Sequence, residues 1–113
     1  MVRYLVQNGA DCKKARDSGS TPLMIAAERG HLPVLQYFFQ QGLDVDKDKT
    51  NLSGCTPLFL AALNDHLPVV QFLVQRGADK NKIATIVDMT PLGIASTRGH
   101  VSVANYLREQ GAV

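Results

Sequence analysis

The sequence predicts an all-α solenoid, in which antiparallel helix pairs stack one on another and the joining loops lie in solvent. Three observations carry that expectation. A short phrase is written three times, as TPLMIAAERGH from Thr21, TPLFLAALNDH from Thr56 and TPLGIASTRGH from Thr90. The copies start 35 and then 34 residues apart. Extra residues enter in one place only: each Thr-to-His interval spans 10 residues and each His-to-Gly interval 11, whereas the Gly-to-Thr connections run 12, 14 and 13. Indels distribute in this way when two elements pack rigidly and the joining loop lies in solvent.

The elements follow in order. Met1 falls inside the second helix of a unit whose first helix is missing, and Val2, Leu5 and Val6 keep the apolar character of an internal unit. The chain is therefore expected to be the C-terminal piece of a longer array. In the competing reading Met1 is a native start, and the exposed edge serves a partner or self-association. Each TP segment then opens a short helix, because Thr is a favoured N-cap and Pro fits the first helical position. Small pairs follow: Ala26 and Ala27, Ala61 and Ala62, then Ala95 and Ser96. They let neighbouring helices approach closely. Gly30, Asp65 and Gly99 end these helices at positions suited to a left-handed cap.

The second helix of each pair carries an apolar stripe at helical spacing: Val34, Leu35, Phe38 and Phe39, then Val69, Val70, Leu73 and Val74, then Val103 and Leu107. Pro33 and Pro68 fall in the first turn, where proline is tolerated. In the last unit Arg108 stands where Phe39 and Val74 stand in the others, and Ala104 replaces Leu35 and Val70. Polar substitution on the outer stripe marks a capping unit. One helix pair of this size cannot bury its own apolar face, so cohesion has to come from neighbours.

The pattern of TPL, Ala, GH and a closing GAD closely resembles the ankyrin repeat over essentially the whole chain. The resemblance implies a single ankyrin-repeat domain over 1–113: a partial repeat with its loop at 1–20, repeats at 21–55 and 56–89, and a capping-like repeat at 90–113. It also implies a slightly curved stack, with β-turn or hairpin loops projecting at roughly right angles, and a protein-binding role. Met24, Phe59 and Gly93 depart from the family by replacing the His that usually follows TPL, which removes a hydrogen bond within each repeat. Asp88 stands where glycine usually forms the loop turn, a geometry Asp accepts better than most residues. Asn81, with Leu73 and Asp79 at matching spacing, sits at a position where ankyrin-like repeats can be hydroxylated.

Composition narrows the function classes. With 12 Lys and Arg against 10 Asp and Glu, the net charge of +2 is too small and too scattered for a nucleic-acid or anionic-membrane binder. The 2 cysteines, Cys12 and Cys55, have no CxxC spacing, so free thiols in a reducing compartment are expected. No apolar run reaches the ~18 to 20 residues of a membrane helix, and the stretch MVRYLVQNGADC lacks the longer apolar segment and cleavage site expected of a signal peptide. The expectation is an intracellular, cytoplasmic monomer, with self-association possible through the uncapped N-terminal end.

No chemistry is visible. His31, His66 and His100 share one repeat position and so belong to successive layers, each expected to fix its own inter-helix turn instead of converging on a metal. Thr21, Thr56 and Thr90 are better used as caps than as nucleophiles. GxGxxG and GxxxxGK[ST] are both absent. The expected protein is non-catalytic, without metal or cofactor.

What remains is a recognition surface. By the resemblance, residues free to meet a partner lie on the loop tips and the exposed side of each first helix. The first full repeat places Asp17, Ser18, Ser20, Glu28 and Arg29 there. The second places Asp48, Leu52, Ser53 and Cys55 on its loop, with Phe59, Leu63 and Asn64 on its helix, and the third places Ile86, Val87, Met89, Thr97 and Arg98. Leu52, Phe59, Leu63, Ile86, Val87 and Met89 would form apolar anchors rimmed by Arg29, Asn64, Thr97 and Arg98. The alternative is that these anchors pack against one another between loops. The run DVDKDKTN is expected only to solvate its loop. A second functional reading is a structural spacer in a longer array, positioning another domain.

Overall fold

A computed structural model describes residues 21–41, 48–52 and 54–113. The expectations for the partial repeat at 1–20, with Val2, Leu5, Val6, Cys12, Asp17, Ser18 and Ser20, lie outside the described residues, as do those for Ser53. Among the described residues the chain forms six helices in three pairs: α1 (Pro22–Arg29) with α2 (Leu32–Gln41), α3 (Pro57–Leu63) with α4 (Leu67–Gln75), and α5 (Pro91–Thr97) with α6 (Val101–Glu109).

The ends of these helices follow from their sequence. Thr21, Thr56 and Thr90 hold extended backbone, and their hydroxyl oxygens accept the amide N–H of Met24 at 3.2 Å, Phe59 at 3.1 Å and Gly93 at 3.1 Å. At the other end Gly30, Asp65 and Gly99 take φ of 73°, 62° and 76°, the left-handed region. The next amide then reaches back five residues: His31 N–H to Ala26 O at 2.9 Å, His66 N–H to Ala61 O at 2.9 Å and His100 N–H to Ala95 O at 2.8 Å. These bonds satisfy carbonyls that the helix end would leave bare. Gly77 and Gly111 close α4 and α6 in the same way.

Packing builds two layers. In the first, α1 lies on α3 and α3 on α5; in the second, α2 lies on α4 and α4 on α6. Ala26, Ala27, Ala61, Ala62 and Ala95 are all at most 4% exposed, so the first layer packs closely through small side chains. The second layer is spaced by larger ones, with Leu35, Val70, Leu73 and Leu107 fully buried between the layers. As the middle element of its layer, α3 is buried at every position from Pro57 to Leu63.

His100 acts across repeats, which corrects for that residue the expectation that it fixes its own turn. The Nε2 atom of His100 donates to Leu63 O at 3.1 Å, a carbonyl of the preceding pair, and its Nδ1 lies 3.7 Å from Asp65 Oδ2. The His66 ring occupies the same place one repeat earlier. A Cβ on Gly30 would stand 2.6 Å from its Nδ1. His31 is exposed.

Candidate protein-binding surface

The loops that would carry a partner are built from backbone hydrogen bonds and braced against one another. In the second full repeat Asn51 N–H donates to Cys55 O at 3.1 Å, while Asn51 Oδ1 accepts the Cys55 amide at 3.0 Å. Gly54 makes the turn at φ 79°. In the third, Ala84 and Met89 form an antiparallel bridge, and Asp88 holds φ 56° where glycine was expected by resemblance. The backbone of Gly54 abuts Thr85, so the two hairpins lie side by side. Consecutive repeats are laced further along: Asp48 Oδ1 accepts the Asp79 amide at 2.8 Å, and Asn81 Oδ1 accepts the Val113 amide at 3.0 Å. Asp48 therefore does more than solvate its loop.

The structure separates the expected site residues into three groups. Glu28 (5% exposed), Phe59 (1%), Leu63 (3%) and Cys55 (0%) are buried, which corrects the expectation that they face a partner. For Phe59 and Leu63 the reason is that α3 has a helix on each side, α1 and α5, so the face assigned to solvent is covered. The sequence carried a sign of this: PLFLAAL contains no polar side chain, and a helix with a wet face would have one. Val87 and Met89 are half-buried against the core, and the Thr97 hydroxyl donates to Met89 Sδ at 4.0 Å. This brings the third hairpin onto the end of α5. Asn64 is also engaged, its Nδ2 donating to Leu60 O at 2.9 Å.

The third group faces solvent. Leu52 is 78% exposed and Ile86 45%, at matching hairpin positions, with Ile83 at 47% nearby in sequence. Arg29 and Thr97 are exposed and Arg98 is half-buried at the ends of the first helices. Sequence reasoning missed Ile83, and also Val34 and Tyr37, which are exposed on α2. For Asn81, the amide oxygen is used by Val113 and the backbone N–H donates to Asp79 Oδ1 at 3.0 Å. Among the described residues no cluster of three His, Cys, Asp or Glu side chains could hold a metal ion. No described helix is long and apolar enough to cross a membrane.

Threefold caps, shared αL helix ends and laced hairpins have their counterpart in known proteins. A family model described as ankyrin repeats in three copies matches residues 1–84. This chain belongs to the ankyrin-repeat family. A second model, ankyrin repeats in many copies, matches residues 64–108. Ankyrin repeats indicate a protein-interaction module, and proteins built from them are generally non-catalytic. No curated protein matches the chain. Among solved structures it is similar to a chain in the complex of the predatory endopeptidase Bd0816 from Bdellovibrio bacteriovorus with the immunity protein Bd3460. The TM-score is 0.77 at 29% identity, over 85% of this chain and 49% of that one. The chain thus spans about half the length of that relative. In all, 372 solved chains match, so the ankyrin framework alone does not specify a partner.

Proposed function

We propose that this ankyrin-repeat chain is a non-catalytic module that holds a partner protein through its hairpin tips and the concave side of its first helices. The observation that carries this reading is the exposure of Leu52 and Ile86 on loops tied down by backbone bonds and laced to their neighbours. Apolar side chains grouped on neighbouring loop tips have the makeup of a protein-contact patch. Here they are presented on a rigid frame, which lowers the entropy lost on binding. Arg29, Asn64, Thr97 and Arg98 supply a polar border, and Val87 and Met89 offer their outer edges. Phe59, Leu63 and Glu28 support the surface from beneath.

The test uses the wild-type chain and the double variant Leu52→Asp with Ile86→Asp as matched baits, captured proteins being quantified against each other. The reading requires a protein enriched by the wild type and lost with the double variant, whose melting temperature stays unchanged. Equal recovery by both baits would refute binding at the hairpin tips. Recovery of nothing by the wild type favours a spacer that positions another domain.

A further inference from the structure

The second-helix layer carries a different surface, on the side away from the first helices. Across LPVLQYFFQQ and LPVVQFLVQ, the sequences of α2 and α4, there is no Asp, Glu, Lys or Arg. Every polar side chain except the Tyr37 hydroxyl is a glutamine: Gln36, Gln40, Gln41, Gln71 and Gln75. An outer helix face held in solvent alone is ordinarily charged. Depletion of charge together with aromatic residues and an arginine is instead the composition of an interface centre.

Between the two helices runs an open groove of about 460 Å³, lined by Pro33, Gln36, Tyr37, Gln40, Phe72 and Arg76. The Arg76 side chain is held by two rings. Its Cζ lies 5.0 Å from the Phe72 centroid and 6.0 Å from that of Phe39, and the rings themselves meet edge to face at 5.1 Å and 86°. Stacking uses the flat face of a guanidinium and leaves its in-plane N–H donors free for an acceptor. Among the described residues no carboxylate pairs with Arg76. Among the described residues the groove therefore offers one cation, no carboxylate, and amides that can both donate and accept.

We propose that this groove binds an extended segment of a partner protein, with one Asp or Glu side chain seated on Arg76. Charge complementarity selects the acidic residue, and the carboxylate can take two parallel bonds from the guanidinium. Gln36 and Gln40 on one wall suit an extended main chain, whose N–H and C=O groups are unsatisfied; a helical ligand satisfies its own. A phosphorylated residue, near −2 in charge, is recognised by clustered arginines, and here there is one. The site lies on the opposite layer from the hairpin tips and is independent of binding there.

Selection of a displayed random dodecapeptide library on the purified chain tests this, followed by titration of the enriched synthetic peptides. Enriched peptides are expected to share one acidic position, to shift backbone NMR signals of residues 33–40 and 72–76, and to bind Arg76→Gln about tenfold more weakly or worse. Gln75→Lys, an exposed change beside Arg76 and outside the groove lining, strengthens binding, and Gln75→Glu weakens it. A purely structural role for Arg76 would not produce that opposed pair of responses. The proposal is overturned if no peptide is enriched, if the acidic position can be replaced by its amide without loss, if phosphoserine there binds tighter, or if Leu52→Asp with Ile86→Asp abolishes binding. It is likewise overturned if Arg76→Gln acts only by disrupting self-association in sedimentation.

Discussion

Replacing Phe59 by alanine separates a buried support from a surface anchor. The ring is 1% exposed in a helix buried along its whole length. Truncating such a ring costs about 3–5 kcal/mol, from lost transfer energy and the cavity left behind. For a chain of 113 residues the whole folding free energy is about 6–17 kcal/mol, so the loss is a large fraction of it. At this size each kcal/mol corresponds to about 4 °C, giving a fall in Tm of about 12–20 °C. Thermal unfolding followed by circular dichroism reads this directly, with urea unfolding as a second measure. Leu52→Ser is the matched control: at 78% exposure it should change stability by no more than about 0.5 kcal/mol. If Phe59→Ala melts within about 2 °C of the wild type and its only defect is in binding, the burial described for α3 is wrong.

Two further perturbations probe how repeats are joined. Gly30→Ala and Gly99→Ala both force a Cβ into the left-handed region, at about 1–2 kcal/mol. Only the first also meets the His66 ring, so it should lower Tm further than Gly99→Ala; equal losses would show that the ring does not rest there. Asp48→Ala removes the acceptor of the Asp79 amide at 2.8 Å, and should cost about 0.5–1.5 kcal/mol and speed hydrogen exchange at that amide. Unchanged exchange at Asp79 would refute the brace.

Features set by local chemistry were legible in the sequence. Thr-Pro placed all three first helices, and the left-handed ends at Gly30, Asp65 and Gly99 followed from residue type, because both depend on a few bonded neighbours. Asp88 was likewise readable as a turn residue. Which side of a short helix meets water depends on what lies above and below it, and repeat register alone did not give that. Phe59 and Leu63 occupy positions that would be wet in a lone helix pair and are covered by adjacent pairs. The same applies to His100, whose acceptor Leu63 O is 37 residues away, and to Asp48, whose donor is 31 away. The groove at Arg76 was hidden for a related reason: Phe39 read as a stripe residue of one helix and Phe72 lay outside the stripe of the next, until the fold brings them edge to face.

The amide links from Asp79 to Asp48 and from Val113 to Asn81 join residues 31 and 32 positions apart. Each connects a residue to a site about one period away, so their geometry depends on step number, not on absolute position. Excising or duplicating one entire period would bring an equivalent donor opposite each remaining acceptor, whereas removing a single residue from a helix would misalign the link that spans it. Length in such a chain can therefore change in whole steps without redesign of its joints.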